Sequence, residues 1–196
     1  MTVLGHIRAV SRAARNTMVR RILAHRIRAR HPDMNCDPSA IWDYGYADIA
    51  KIRIGHGVTV GAFAEILVYR RTLHSSVPGE LVLHDGAVIS TGVNIRAAGG
   101  RIEIGENSAL GQHCVVVAAN HTSAPGKPFI NTAWDETRTG VVLGRNVWVG
   151  ANSTLLPGCR IGDNTLIAAG SVVRGEVPAG ELWGGVPAHR IKRLSE

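Results

Sequence analysis

Six hexapeptides run in unbroken register from Leu143 to Pro178, and each opens on an aliphatic residue: Leu143, Val149, Leu155, Ile161, Ile167 and Val173. Four places later in each comes a compact residue: Val147, Ser153, Cys159, Thr165, Ser171 and Val177. A period of six matches neither the helical 3.6 nor the alternation of a simple strand. The chain must therefore coil with a fixed number of residues per side, and three sides of six close a triangle. The aliphatic residue points inward and the compact one fits beside it at a corner. One such coil cannot bury its own inner face, so coils must stack, each covering the next. The pattern predicts an all-β parallel β-helix.

The same phase continues upstream with interruptions. Ile54, Val60 and Ile66 make one coil, Leu83, Ile89 and Ile95 a second, and Ile104, Leu110 and Val116 a third. The step from Ile66 to Leu83 is 17 residues, which reads as one short of a full coil. Three residues are inserted around Gly99-Gly100, and the largest break runs from His121 to Gly140. A long stretch without repeat inside a compact domain is either a functional loop or a tolerated surface insertion, and loop statistics favour the former.

Residues 1–30 hold eight of the 22 basic residues, all arginine, and no acid, leaving 14 basic against 15 acidic residues elsewhere. The basicity therefore belongs to this segment. Leu4, Ile7, Val10, Ala14, Met18, Ile22 and Ile27 sit at near-helical spacing, and His31-Pro32-Asp33 would end the helix. Three roles remain open for it: a cap on the open end of a solenoid, a contact with an anionic membrane surface, or nucleic-acid binding. The last has arginines but no recognition motif in its favour, and no nucleic-acid partner is expected. The expected organisation is a basic helix and entry segment over 1–50, a β-helix over 51–180 with a protruding loop at 121–140, and a tail over 181–196. Trp42, Tyr44 and Tyr46 would cover the first coil. Cys36, Cys114 and Cys159 show no paired spacing, and the latter two fall on compact inward positions. With no apolar run of roughly 18 residues and no apolar signal core, a cytoplasmic protein is expected.

Particular stretches carry a family resemblance: Asn120-His121, Val147-Trp148-Val149-Gly150-Ala151-Asn152, Leu156-Pro157-Gly158, Ala168-Ala169-Gly170-Ser171 and Gly184-Gly185-Val186-Pro187-Ala188. In order and spacing they resemble the hexapeptide-repeat acyltransferases, especially the sugar O-acetyltransferases around the galactoside, maltose and polysaccharide enzymes. The resemblance covers about half the chain closely and implies a left-handed β-helix, a homotrimer with sites between prisms, and acetyl-coenzyme A as acyl donor. Handedness rests on the resemblance alone, because it runs against the usual right-handed crossover.

Moving an acetyl group from a thioester to a hydroxyl requires a base for the departing proton, donors for the tetrahedral oxyanion, and exclusion of water. Histidine suits the first task because its free pKa lies near 6.5. His121 opens the long break, where a side chain can project sideways from the prism, and it matches the family's catalytic histidine; a plain surface-loop histidine is the alternative. Asn94 and Asn120 are candidate acceptor contacts, although the aspartate that galactoside-type enzymes carry nearby is missing. For the donor, the resemblance points to the Gly150-Ala151 amide as oxyanion donor and to Ala151 and Ala169 along the pantetheine groove. Trp148 faces outward, expected as a tunnel wall or acceptor cover with subunit packing as the alternative, and Arg174, His189 and Lys192 are the expected partners of the coenzyme phosphates, with a solvated charged tail as the alternative. No metal is expected, since His113 and His121 lack a matching third histidine of the γ-carbonic-anhydrase kind. The reading is an acetyltransferase acting on a sugar or glycan hydroxyl. N-acetylation of an amino or nucleotide-linked sugar and a non-catalytic β-helix scaffold are the alternatives.

Overall fold

A computed structural model describes the chain over residues 3–194, and its side chains from Thr17 onward apart from Tyr46 and Ala47. The expectations placed on Leu4, Ile7, Val10, Ala14 and Tyr46 lie outside the described side chains. A helix, Val3–Arg30, leads into a triangular prism with three parallel walls.

The first wall stacks Asn35–Cys36, Thr59–Val60, Val88–Ile89, Ala109–Leu110, Trp148–Val149, Leu166–Ile167 and Glu181–Gly185. On the second lie Ile41–Tyr44, Glu65–Tyr69, Asn94–Ala98, Val115–Val117, Thr154–Leu155 and Val172–Val173. The third holds Ile52–Ile54, Glu80–Leu83, Arg101–Ile104, Val141–Leu143, Cys159–Ile161 and Glu176–Val177. Strand follows strand at one-coil intervals, as in Val116↔Leu155↔Val173, so every column of inward residues is continuous. All six aliphatic openers and all six compact residues of the regular stretch are buried. The compact positions are small because they sit where the chain turns, and their hydroxyls satisfy turn carbonyls: Ser153 Oγ donates to Ala168 O at 3.1 Å and Thr165 Oγ1 to Pro178 O at 3.1 Å. Buried polar groups persist only with such partners. This is the left-handed parallel β-helix of the hexapeptide-repeat proteins.

Two ends close the stack differently. At the start, Leu23 and Ile27 of the helix bury against the first coil, and Tyr44 Oη donates to Leu23 O at 2.9 Å. Trp42 takes the inward position that aliphatics hold elsewhere and is fully buried beneath the helix. At the other end, Ala188–Arg193 folds back antiparallel on Glu181–Gly185 and closes the first wall. The prism already begins at Asn35, inside the segment read from sequence as an entry. No described helix is long and apolar enough to cross a membrane.

The interruptions share one location. Ile66 on the second wall pairs with Ile95, and Leu83 on the third with Ile104. The 17-residue step is therefore not a coil one residue short. It is a single side carrying a loop, residues 70–79, at the corner between the second and third walls. Gly99-Gly100 and the long break occupy that same corner in the next two coils.

Candidate active site

Stacking puts the two loops in contact. Trp134 donates its backbone N–H to His74 O at 2.8 Å, while Glu136 accepts from Ser75 Oγ at 2.8 Å and Ser76 N at 2.7 Å. These bonds hold the Glu136 carboxyl below its ordinary pKa. The Trp134 ring lies over Gly99, whose φ is +67°; a Cβ there would run into the indole. The small insertion thus supplies the floor on which the large one rests. His74, His121 and Trp134 form a ring cluster with centroids 5.2–5.9 Å apart.

At its centre both imidazole nitrogens of His121 are engaged. Nδ1 lies 3.1 Å from the Thr132 carbonyl, and the Trp134 indole Nε1 lies 3.0 Å from Nε2. A carbonyl can only accept and an indole N–H can only donate. The proton is therefore on Nδ1 and the lone pair on Nε2, which is the tautomer a general base requires with Nε2 as the working atom. An antiparallel bridge between His121 and Trp134 holds the two segments together.

Beside this cluster opens a cavity of about 470 Å³. His121, Asn120 and Trp134 border it on one side, Leu67, Tyr69 and Arg96 of the second wall on the other, and Arg71 and Thr72 belong to the shorter loop. Tyr69 Oη donates to Asp43 at 2.6 Å, and burial together with that bond pushes its pKa up to about 12, so it stays a neutral donor.

Comparison with known proteins agrees with this architecture. The model for the bacterial transferase hexapeptide (six repeats) matches residues 140–175. WcaF of Escherichia coli, a putative colanic acid biosynthesis acetyltransferase, is 30% identical over 130 residues, covering 66% of this chain and 68% of that protein. The chain belongs to the hexapeptide-repeat acetyltransferases. WbbJ of E. coli, a putative lipopolysaccharide biosynthesis O-acetyl transferase, is 46% identical over 57 residues, 29% of each chain. Against three such relatives, WbbJ among them, the matched stretch spans between 28% and 50% of the relative's own length. In structure, AntD of Bacillus cereus, an N-acyltransferase in complex with dTDP-4-amino-4,6-dideoxyglucose and coenzyme A, superposes with a TM-score of 0.66 at 20% identity, over 84% of this chain and 82% of that one. At that identity the likeness speaks for the fold.

Within this hexapeptide-repeat transferase the residues singled out from sequence fall into separate groups. His121 and Asn120 border the cavity together. Asn94 lies on the same wall but turns its amide to Glu65 Oε2 at 2.9 Å. Ala151 and Ala169 stand one coil apart at the opposite edge of the second wall, where Gly170 N donates to Ala151 O at 2.8 Å. The Gly150 N–H is committed to Ile167 O at 2.8 Å. Trp148 is exposed on the first wall, Arg174 is exposed after the last strand of the second, and His189 and Lys192 are on the closing hairpin. Among the described residues no three or more His, Cys, Asp or Glu side chains converge on a point where a metal could sit.

Sequence reasoning missed Thr132, Trp134, His74, Arg71 and Arg96. Loop side chains leave no periodic trace. One signal was available: interruptions that always fall between a second-wall and a third-wall strand must stack on one corner.

Proposed function

We propose that this protein transfers an acetyl group from acetyl-coenzyme A to a hydroxyl of a sugar or glycan, with His121 as general base. One observation supports the reading: the Thr132 carbonyl and the Trp134 indole hold His121, which borders the cavity, in the tautomer with its lone pair on Nε2. The acceptor hydroxyl takes the place of the indole N–H on Nε2. Nε2 accepts its proton as the oxygen attacks the thioester carbonyl, the new C–O bond forms, and charge collects on the carbonyl oxygen. Collapse breaks the C–S bond, and the leaving sulfur takes the proton from Nε2, giving an acetyl ester and the free thiol of coenzyme A and restoring neutral His121. Holding the acceptor against a preoriented base supplies the proximity and proton transfer that water cannot.

Donor and acceptor elements lie on two different corners of one chain, a full wall apart. A homotrimer, in which one chain's His121 faces its neighbour's Ala151–Ala169 edge, unites them. An Ala151 amide would then serve the oxyanion, and Trp148 and the basic hairpin would border the coenzyme. WbbJ and WcaF, named for lipopolysaccharide and colanic acid biosynthesis, support a surface-glycan acceptor. A 43% identity over 56 residues to the 2,3,4,5-tetrahydropyridine-2,6-dicarboxylate N-acetyltransferase of Staphylococcus aureus supports the second reading, a nitrogen acceptor such as an amino sugar.

Incubation with acetyl-labelled coenzyme A and a panel of hydroxyl- and amino-sugars decides between them. An O-acetyl product is released by mild hydroxylamine and an N-acetyl product is not. No label transfer to any glycan, with the coenzyme bound, would overturn the enzyme reading.

A further inference from the structure

The cavity beside His121 is lined by two arginines and no carboxylate. Arg71 belongs to the shorter loop and, among the described residues, has neither an ion pair nor a hydrogen bond. Arg96 projects from the second wall, and the nearest carboxylate, Glu65, stands 3.8 Å away while also receiving the Asn94 amide. Arg70, next to Arg71 in the chain, turns instead to Asp48, at the same 3.8 Å that separates Arg96 from Glu65. Arg20 of the helix adds positive potential near Tyr69, where it counters the rise of the phenol's pKa. Arg71, unpaired, and Arg96, held only by a carboxylate it shares with the Asn94 amide, line one partly apolar cavity without a carboxylate of its own, so its potential is positive and an anion relieves it. A carboxylate is saturated by one arginine in fork geometry. A phosphoryl group presents three oxygens and up to two charges, and takes both.

We infer that the acceptor carries a phosphoryl group, bound between Arg71 and Arg96, and that its sugar reaches His121 from there. This rests on the acetyl-transfer reading and narrows its substrate class to glycosyl phosphates, either nucleoside diphosphate sugars or lipid-phosphate-linked sugars. The same two arginines serve both sources. Leu67, Val117 and the Tyr69 ring provide the apolar surface on which a sugar ring would lie.

The test measures equilibrium binding to the full-length protein, with uridine diphosphate and a short-chain polyprenyl phosphate as probes and glucuronate as the carboxylate control. Coenzyme A is held saturating throughout, so that its own phosphate site is occupied. Expected is binding of a phosphoryl probe that falls roughly tenfold in each of Arg71→Gln and Arg96→Gln, weakens with salt, and leaves the affinity for coenzyme A unchanged. Preference for uridine diphosphate assigns the nucleotide source, and preference for polyprenyl phosphate the lipid one. The inference is overturned if neither probe binds, if glucuronate binds as well as they do, if coenzyme A displaces them, or if both variants bind like wild type. Both arginines are solvent-facing, and a thermal melt of each variant separates misfolding from lost affinity. Phosphoryl binding without any acetyl transfer would leave this subsite standing and remove the enzyme reading. Acetyl transfer to neutral glycans only, with no phosphoryl binding, would do the reverse.

Discussion

The second wall is bounded by two corners that could hardly be less alike. At the corner it shares with the first wall, every coil after the first turns the same way: Gly92 N donates to Ala62 O, His113 N to Thr91 O, Asn152 N to Gln112 O and Gly170 N to Ala151 O, all at 2.8–3.0 Å. The second turn residue is in the left-handed region each time, at Phe63, Gly92, His113, Asn152 and Gly170. The result is a smooth edge with no loop. At the corner shared with the third wall the chain leaves the coil in four consecutive turns, at residues 45–51, 70–79, 99–100 and 118–140, and the second and fourth departures hold His74, His121 and Trp134 together. A regular corner offers an extended molecule a backbone groove. An interrupted corner offers side chains aimed at a point.

If chemistry belongs to the interrupted corner, His121→Ala lowers turnover by about two to four orders of magnitude, as loss of a general base does, and leaves the melting temperature within a degree or two of wild type. Near wild-type turnover in a folded variant would break the contrast at its root. In the regular stack the cost is stability. Ile167→Ala opens a cavity in a fully buried column and should destabilise by about 2–5 kcal/mol, read by denaturant titration; the surviving folded protein keeps its KM values.

The smooth edge answers to bulk. Ala169→Trp, at an exposed turn position, should raise KM for acetyl-coenzyme A roughly tenfold, about 1.4 kcal/mol, with KM for the acceptor unmoved. Mixing these chains with His121→Ala chains under refolding should restore activity if a site draws on two subunits. Full activity in a monomer, by analytical ultracentrifugation, would refute sharing.

The smallest effect concerns the tie between the two loops. Because the Glu136 carboxyl is held below its ordinary value, its contribution is present above the unfolded carboxylate pKa and is lost as pH falls through the lower folded one. Amide protection at Ser76, whose N–H donates to the Glu136 carboxylate, should therefore hold at neutral pH and decline in acid. Glu136→Gln should show reduced protection at all pH values and no acid-dependent step.

What the sequence made legible follows from repetition. The columns from Leu143 to Val177 could be read because each coil buries the same positions, and burial enforces the same residues. His121 was readable from its neighbours in a matching motif. The start of the prism was not, because the terminal coil meets a helix where other coils meet a coil; Trp42 and Tyr44 fill that different space and break the aliphatic pattern. Thr132 was invisible for another reason: it holds His121 through a backbone carbonyl, and any residue can supply one. Arg71 and Arg96 lie 25 positions apart and converge only because two coils stack at one corner.

The two closed ends have a consequence for assembly. A stack of parallel coils presents, at each end, strands whose backbone groups invite another strand, and nothing in a six-residue repeat says where to stop. Here the antiparallel strand Ala188–Arg193 covers the last coil with a partner of the wrong direction, and the helix buries Leu23 and Ile27 over the first. Together they act as chain terminators for a structure that would otherwise template its own continuation, so the length of the prism is set by its caps.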